Sequence, residues 1–153
     1  MEDQIELAPI ILVTHGTWGQ ALLETTEIFL GPQENLACVP LNLDESPEGF
    51  VEKLERVLKQ IAGDREVLFL VDMRGGTPWN IIAVLTRKRK LQCVAGLSLP
   101  MLLEVLPRRA GLSVAELAEI AATAGREGVI NLATVLSGVA STKRSDVTQE
   151  ETR

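Results

Sequence analysis

The chain has 153 residues, 46% of them hydrophobic and 24% charged, and carries a net charge of −6. That length makes one domain able to bury a single core, in a composition ordinary for globular proteins. The acidic balance excludes general nucleic-acid binding, no apolar stretch approaches the roughly 20 residues that span a bilayer, and the acidic start Met1-Glu2-Asp3 does not read as a signal peptide, so a cytoplasmic location is expected.

The run Ile10-Ile11-Leu12-Val13-Thr14 is short, branched and apolar, which predicts a buried strand. Helical spacing follows from about Trp18 to Leu30, with Leu22, Leu23 and Phe29 among its apolar positions and Gly31 as its stop. Leu36 to Leu43 reads as a second strand, and Pro40 places it at a sheet edge, because proline cannot donate to a ladder. Ser46 can cap the next helix, Pro47 fits its first turn and Gly63 ends it. Phe50, Leu54, Val57, Leu58 and Ile61 make one apolar stripe along it.

Val67 to Asp72 is the third strand, and Thr77-Pro78 reads as cap plus first-turn proline of a helix running to about Lys88. The basic run Arg87-Lys88-Arg89-Lys90 falls at that helix's C-terminal end, where cations offset the dipole. Cys93 to Leu97 is the fourth strand. Pro100 opens a short helix that Pro107 ends or kinks, and Ser113 with Glu116 forms a capping box for a helix to Gly125. Gly128 to Leu132 is predicted as a last strand, residues 1–136 as one domain, and the polar stretch 137–153 as a disordered tail. Cys38 and Cys93 lie in apolar strands and read as reduced core thiols; no metal-ligand spacing surrounds them, so neither a metal nor a cofactor is expected.

Alternating strands and helices imply βαβ units: an α/β, doubly wound, mostly parallel sheet in the order 2-1-3-4. With right-handed crossovers, the first helix pair is expected on one face and the later helices on the other. Strands one and three then adjoin where the winding reverses, which is where open α/β sheets bind ligands. His15, the only histidine, leaves the first strand there, and Asp72 leaves the third. Asp72 can accept a hydrogen bond from one ring N–H of His15, leaving the other nitrogen free as nucleophile or base. Gly75-Gly76 permits close backbone approach, the helix starting near Thr77 offers free N–H groups to an anion, and the turn after Gly16 offers similar ones. With no G-x-x-x-x-G-K, no G-x-G-x-x-G and no paired acidic cluster, nucleotide machinery is missing; phosphoryl passage through the histidine itself is the chemistry these groups fit.

Leu12-Val13-Thr14-His15-Gly16, Leu68 to Asp72 with Gly75-Gly76-Thr77-Pro78-Trp79-Asn80, Pro100-Met101-Leu102 and Gly125-Arg126-Glu127-Gly128-Val129 resemble the mannose-type IIA component of the bacterial sugar phosphotransferase system. The likeness runs in order from about Ile10 to Leu132. By that resemblance His15 accepts a phosphoryl group from the carrier HPr and passes it to a IIB partner for sugar uptake, meeting the membrane only through IIC and IID components. The resemblance makes Asp72 the carboxylate that orients the histidine and Thr77 a hydroxyl near the phosphoryl group. It also implies a homodimer that exchanges its last strand. Thr17-Trp18 and Met73-Arg74 fall at positions that vary in the family, so the resemblance assigns them no role. Three other readings stand beside this one: a regulatory phospho-switch of the same fold uncoupled from transport; a histidine-dependent hydrolase, weakened by the lack of a G-x-S-x-G elbow and of a second histidine; and the related IIA-like subunit of dihydroxyacetone kinase, disfavoured by the Gly75-Gly76-Thr77-Pro78-Trp79-Asn80 block.

Overall fold

A computed structural model describes residues 6–138. Its elements, in chain order, are β1 (Ile10–His15), α1 (Trp18–Leu30), β2 (Leu36–Leu41), α2 (Pro47–Ile61), β3 (Val67–Val71), α3 (Thr77–Leu85), β4 (Leu91–Ala95), α4 (Leu99–Val105), a 3₁₀ turn at Leu106–Arg108, and α5 (Val114–Glu127). The four strands are all parallel, in the order β2-β1-β3-β4. β1 and β3 are central and read as unbroken apolar runs because helices cover both of their faces. Pro40 lies on β2, an edge strand, as its missing N–H requires.

Alternate residues of the central strands feed two cores. Ile10, Leu12, Leu68 and Leu70 pack with Leu23 of α1, Met101 and Leu102 of α4, and Leu117 and Ala121 of α5. Ile11, Val13, Phe69 and Val71 pack with Phe50, Leu54 and Leu58 of α2 and Ile82 and Leu85 of α3. The expected grouping of the first two helices on one face is therefore corrected: α1 stands with α4 and α5, opposite α2 and α3. A right-handed crossover changes face when it changes direction, and the chain steps outward from β1 to β2, then back across β1 to β3.

Local chemistry explains most element ends. Ser46 accepts a hydrogen bond from the Gly49 N–H at 3.0 Å, and Ser113 and Glu116 make a reciprocal capping box. Strand β2 stops at Leu41, short of the expected Leu43, and β4 is shifted to Leu91–Ala95 from the expected 93–97. Thr77 is not the cap of α3: extended Gly76 caps it, and Thr77 is its first residue. That helix ends at Leu85, so Arg87 to Lys90 lie in the turn beyond it. α5 continues through Gly125 to Glu127.

The predicted strand at Gly128 to Leu132 does not form among the described residues. The chain turns at Gly128 and enters a helical stretch over 132–138, with Val129 86% and Ile130 68% exposed. Apolar composition in so short a run fits helix or strand equally, and a strand needs a ladder partner to hold it. Residues 137 and 138, assigned to the tail from sequence, belong to this helix, and the remainder of the tail lies outside the described residues.

Candidate functional site

Strand register builds the site. Val13 pairs with Val71, so Thr14-His15 and Asp72 leave the sheet side by side, and the Asp72 N–H donates to the Val13 carbonyl at 3.3 Å. The strands end on different residues, which lets the Asp72 carboxylate reach over to His15. Its Oδ2 accepts two hydrogen bonds at 2.8 Å, from the backbone N–H of His15 and from ring Nδ1. Its Oδ1 accepts the Met73 N–H at 2.9 Å.

Burial raises the pKa of Asp72, but these three hydrogen bonds and the imidazole outweigh that effect and hold it below the usual carboxylate range. The carboxylate is thus charged and only accepts, so Nδ1 must carry the proton it shares. In the neutral imidazole Nε2 is then the unprotonated nitrogen. The imidazole is 45% exposed while the carboxylate is 11% exposed, so the orienting group is sheltered and the ring it orients is open.

Gly76 touches the ring. A Cβ added there would stand 2.7 Å from His15 Cε1 and 3.3 Å from Nε2, so only glycine allows the loop this close to the reactive edge. Gly16 follows His15 with φ +65° and donates its N–H to the Leu41 carbonyl at 2.8 Å, which turns the chain from β1 into α1. Gly75, at φ +80°, has open space around it and serves the turn rather than a contact.

His15, Gly16 and Thr77 share a cleft of about 410 Å³ with Leu41, Asn42, Leu43, Glu45 and Pro47. The structure thereby brings together the imidazole, its carboxylate, the close-approach glycine and the start of α3, whose first-turn amides have no acceptor within the helix. Sequence reasoning gave the β2–α2 residues of the cleft no place in the site. The 2-1-3-4 order holds their only signal, because it sets the end of β2 beside the end of β1. Glu45 is held there by Lys53 at 2.8 Å and by the Asn42 N–H at 3.1 Å, bonds that lower its pKa. Among the described residues no group of three or more His, Cys, Asp or Glu could hold a metal ion.

The family model described as "PTS system fructose IIA component" matches residues 9–124. The chain is 38% identical over 122 residues to the "PTS system mannose-specific EIIAB component" of Escherichia coli (strain K12), covering 78% of this chain and 38% of that protein. It is also 38% identical over 109 residues to the "PTS system fructose-specific EIIA component" of Bacillus subtilis (strain 168), covering 71% of this chain and 75% of that one. The chain thus spans little more than a third of the first relative's length. Among solved structures, the phosphotransferase component EIIA from Streptococcus agalactiae superposes with a TM-score of 0.77 at 28% identity, over 84% of this chain and 99% of that one. A mannose/sorbose-specific IIA subunit from Enterococcus faecalis gives a TM-score of 0.76 at 29% identity, over 83% and 96%. The matched span contains β1 with His15, the Asp72 loop and the whole four-stranded sheet: the chain belongs to the IIA component family of the sugar phosphotransferase system.

Proposed function

We propose that this chain is a phosphohistidine carrier, taking a phosphoryl group from HPr onto His15 and passing it to a histidine of a IIB partner during sugar uptake. One observation carries the proposal: the 2.8 Å bond from Nδ1 to a charged, sheltered carboxylate leaves Nε2 of the neutral, half-exposed imidazole with its lone pair free. The Nε2 lone pair forms the new N–P bond as the N–P bond of the donor phosphohistidine breaks. The bonding pair returns to the donor ring, and no proton need leave Nδ1. Positive charge that develops on the His15 ring is met by Asp72.

Thr77 supplies its hydroxyl and N–H to the phosphoryl oxygens, and Gly76 lets the α3 amides come close enough to help. Gly16 and Gly75 set the two loops on either side. Donor and acceptor must each reach Nε2, and the exposure of the imidazole at the sheet end suits that traffic. The carrier works in the cytoplasm as a homodimer and meets the membrane only through its partners; no helix among the described residues is long and apolar enough to cross it.

The test is reconstitution. Phosphoenolpyruvate, the general phosphotransferase enzyme and HPr should yield an acid-labile, base-stable phosphoprotein that donates to IIB. The His15→Ala variant should take no label, and a labelled His15→Ala protein would overturn the assignment. Phosphorylation without onward transfer to any IIB component would favour the regulatory switch.

A further inference from the structure

Phosphorylation of His15 creates a charge problem that the residues around it do not obviously solve. The phosphoryl group is close to dianionic at neutral pH, and it arrives beside the Asp72 carboxylate, itself 2.8 Å from the ring. A second carboxylate, Glu45, lines the same cleft. None of the cleft residues is a cation. Lys53 stands nearby but is spent: it pairs with Glu45 at 2.8 Å and donates to the Pro40 carbonyl. The α3 amides supply partial charge only.

One full positive charge sits on the loop that carries the site. Arg74 lies two residues after Asp72 and two before Gly76, where an added Cβ would stand 2.7 Å from Cε1 and 3.3 Å from Nε2 of the imidazole. Its side chain is exposed, and among the described residues it makes neither an ion pair nor a hydrogen bond. Other arginines of the fold are engaged: Arg65, Arg89, Arg108 and Arg109 all donate to backbone carbonyls. Successive Cα atoms are about 3.8 Å apart, so Arg74 starts within about 7.6 Å of the Gly76 backbone, and its flexible stem spans the remainder. A guanidinium also presents parallel N–H groups that match two phosphoryl oxygens.

We infer that Arg74 folds over phosphorylated His15 and binds the phosphoryl oxygens, holding the phosphoryl group in the interval between donor and acceptor. The inference deepens the proposed carrier function and rests on His15 as the phosphoryl acceptor. The guanidinium takes no part in bond making. It offsets the negative charge that Asp72 and Glu45 concentrate, and it is free until the phosphoryl group arrives.

A small-molecule donor tests this without any protein partner. Potassium phosphoramidate phosphorylates accessible imidazoles, the N–P bond forming as ammonia leaves. The ³¹P resonance of phospho-His15 is then followed against pH in wild type, Arg74→Gln and Arg74→Lys, with circular dichroism confirming that each is folded. A neighbouring cation favours the dianion, so Arg74→Gln should raise the midpoint of the phosphoryl titration by about one unit, a tenfold change in proton affinity. Arg74→Lys should recover part of that shift, keeping the charge but not the fork. The equilibrium constant for exchange with phospho-HPr should also fall about tenfold in Arg74→Gln.

A residue that only docks the donor would change the rate and leave both equilibria where they were, because contacts in a transient complex cancel from them. An unmoved titration in Arg74→Gln therefore overturns the inference. Failure of HPr to phosphorylate the wild type would instead bring down the carrier function and leave the phosphoramidate titration to decide Arg74.

Discussion

Asp72→Asn separates orientation from folding. In the native site Oδ2 accepts two N–H groups of His15 and Oδ1 accepts the N–H of Met73. An amide has one acceptor oxygen, so it cannot do both. If the oxygen stays on His15, the NH₂ group opposes the Met73 N–H and one backbone hydrogen bond is lost. If the NH₂ group turns to His15, Nδ1 must accept, the proton moves to Nε2, and the nucleophile is blocked. The cost to stability in the first arrangement is that of one hydrogen bond, about 0.5–1.5 kcal/mol, or a few degrees of Tm for a chain of this size. The cost to transfer is larger, since groups that set proton position contribute about 10²–10⁴-fold, equivalent to roughly 2.7–5.4 kcal/mol of barrier. Single-turnover transfer from phospho-HPr, with thermal melting of the same preparation, measures both. A folded Asp72→Asn protein that transfers at the wild-type rate would remove the carboxylate from the mechanism. The sign of the acid response follows as well: with its pKa depressed by folding, Asp72 adds stability above the ordinary carboxylate range, and that stability is lost as pH falls through the depressed value.

Gly76→Ala should slow transfer by about tenfold to a hundredfold with little change in Tm, because its φ of −76° suits alanine while the new Cβ would displace the imidazole from 2.7 Å; rapid transfer by this variant would mean that the ring position is not critical. Burial pushes the Cys38 thiol up to about 11 and the Cys93 thiol up to about 12. At pH 8 only about a thousandth or less of either is thiolate, so iodoacetamide should label the native protein slowly and the urea-unfolded protein quickly, and equal rates would contradict the burial.

The sheet was legible because parallel strands covered on both faces leave unmistakable aliphatic runs, and Pro40 alone picked the edge. The pairing of His15 with Asp72 was legible for a related reason: strand order fixes which loops adjoin, and few side chains at those loops can do chemistry. What the linear pattern hid was whatever depends on exact backbone path. Gly76 rather than Thr77 caps α3, since both residue types suit a helix start and only the extended backbone of Gly76 distinguishes them. Arg109 is nearly fully buried and donates to the carbonyls of Glu34 and Ala8 and to the side chain of Gln33, a tie across some 75 to 100 residues that no local spacing announces. The segment after Gly128 misled for a different reason. Its apolar residues were noticed correctly, but so short a run fits helix and strand equally, and among the described residues it forms no strand.

We expect that segment to carry the assembly. Val129, Ile130, Leu132, Val135 and Leu136 are all exposed. An apolar groove of about 680 Å³ between α4 and α5, lined by Pro100, Leu103, Ile120 and Ala124, opens beside Gly128. The outer edge of β4 pairs with no strand among the described residues. An open edge and a loose apolar segment are each a liability in water, and in one chain neither relieves the other. Two copies related by a two-fold axis can relieve both, each lending its segment to the other. Fully burying one large aliphatic side chain is worth about 1.5–3 kcal/mol, so five from each copy would outweigh the entropy of association even if burial were only partial. We therefore expect a homodimer at micromolar concentration by light scattering, dissociating only as it unfolds. A chain ending at Glu127 should aggregate or melt well below the parent, and replacing Val129, Ile130 and Leu132 together by serine should loosen the dimer while the sheet stays folded. A monomeric parent protein, or a Glu127-terminated chain that remains soluble, dimeric and equally stable, would refute the exchange.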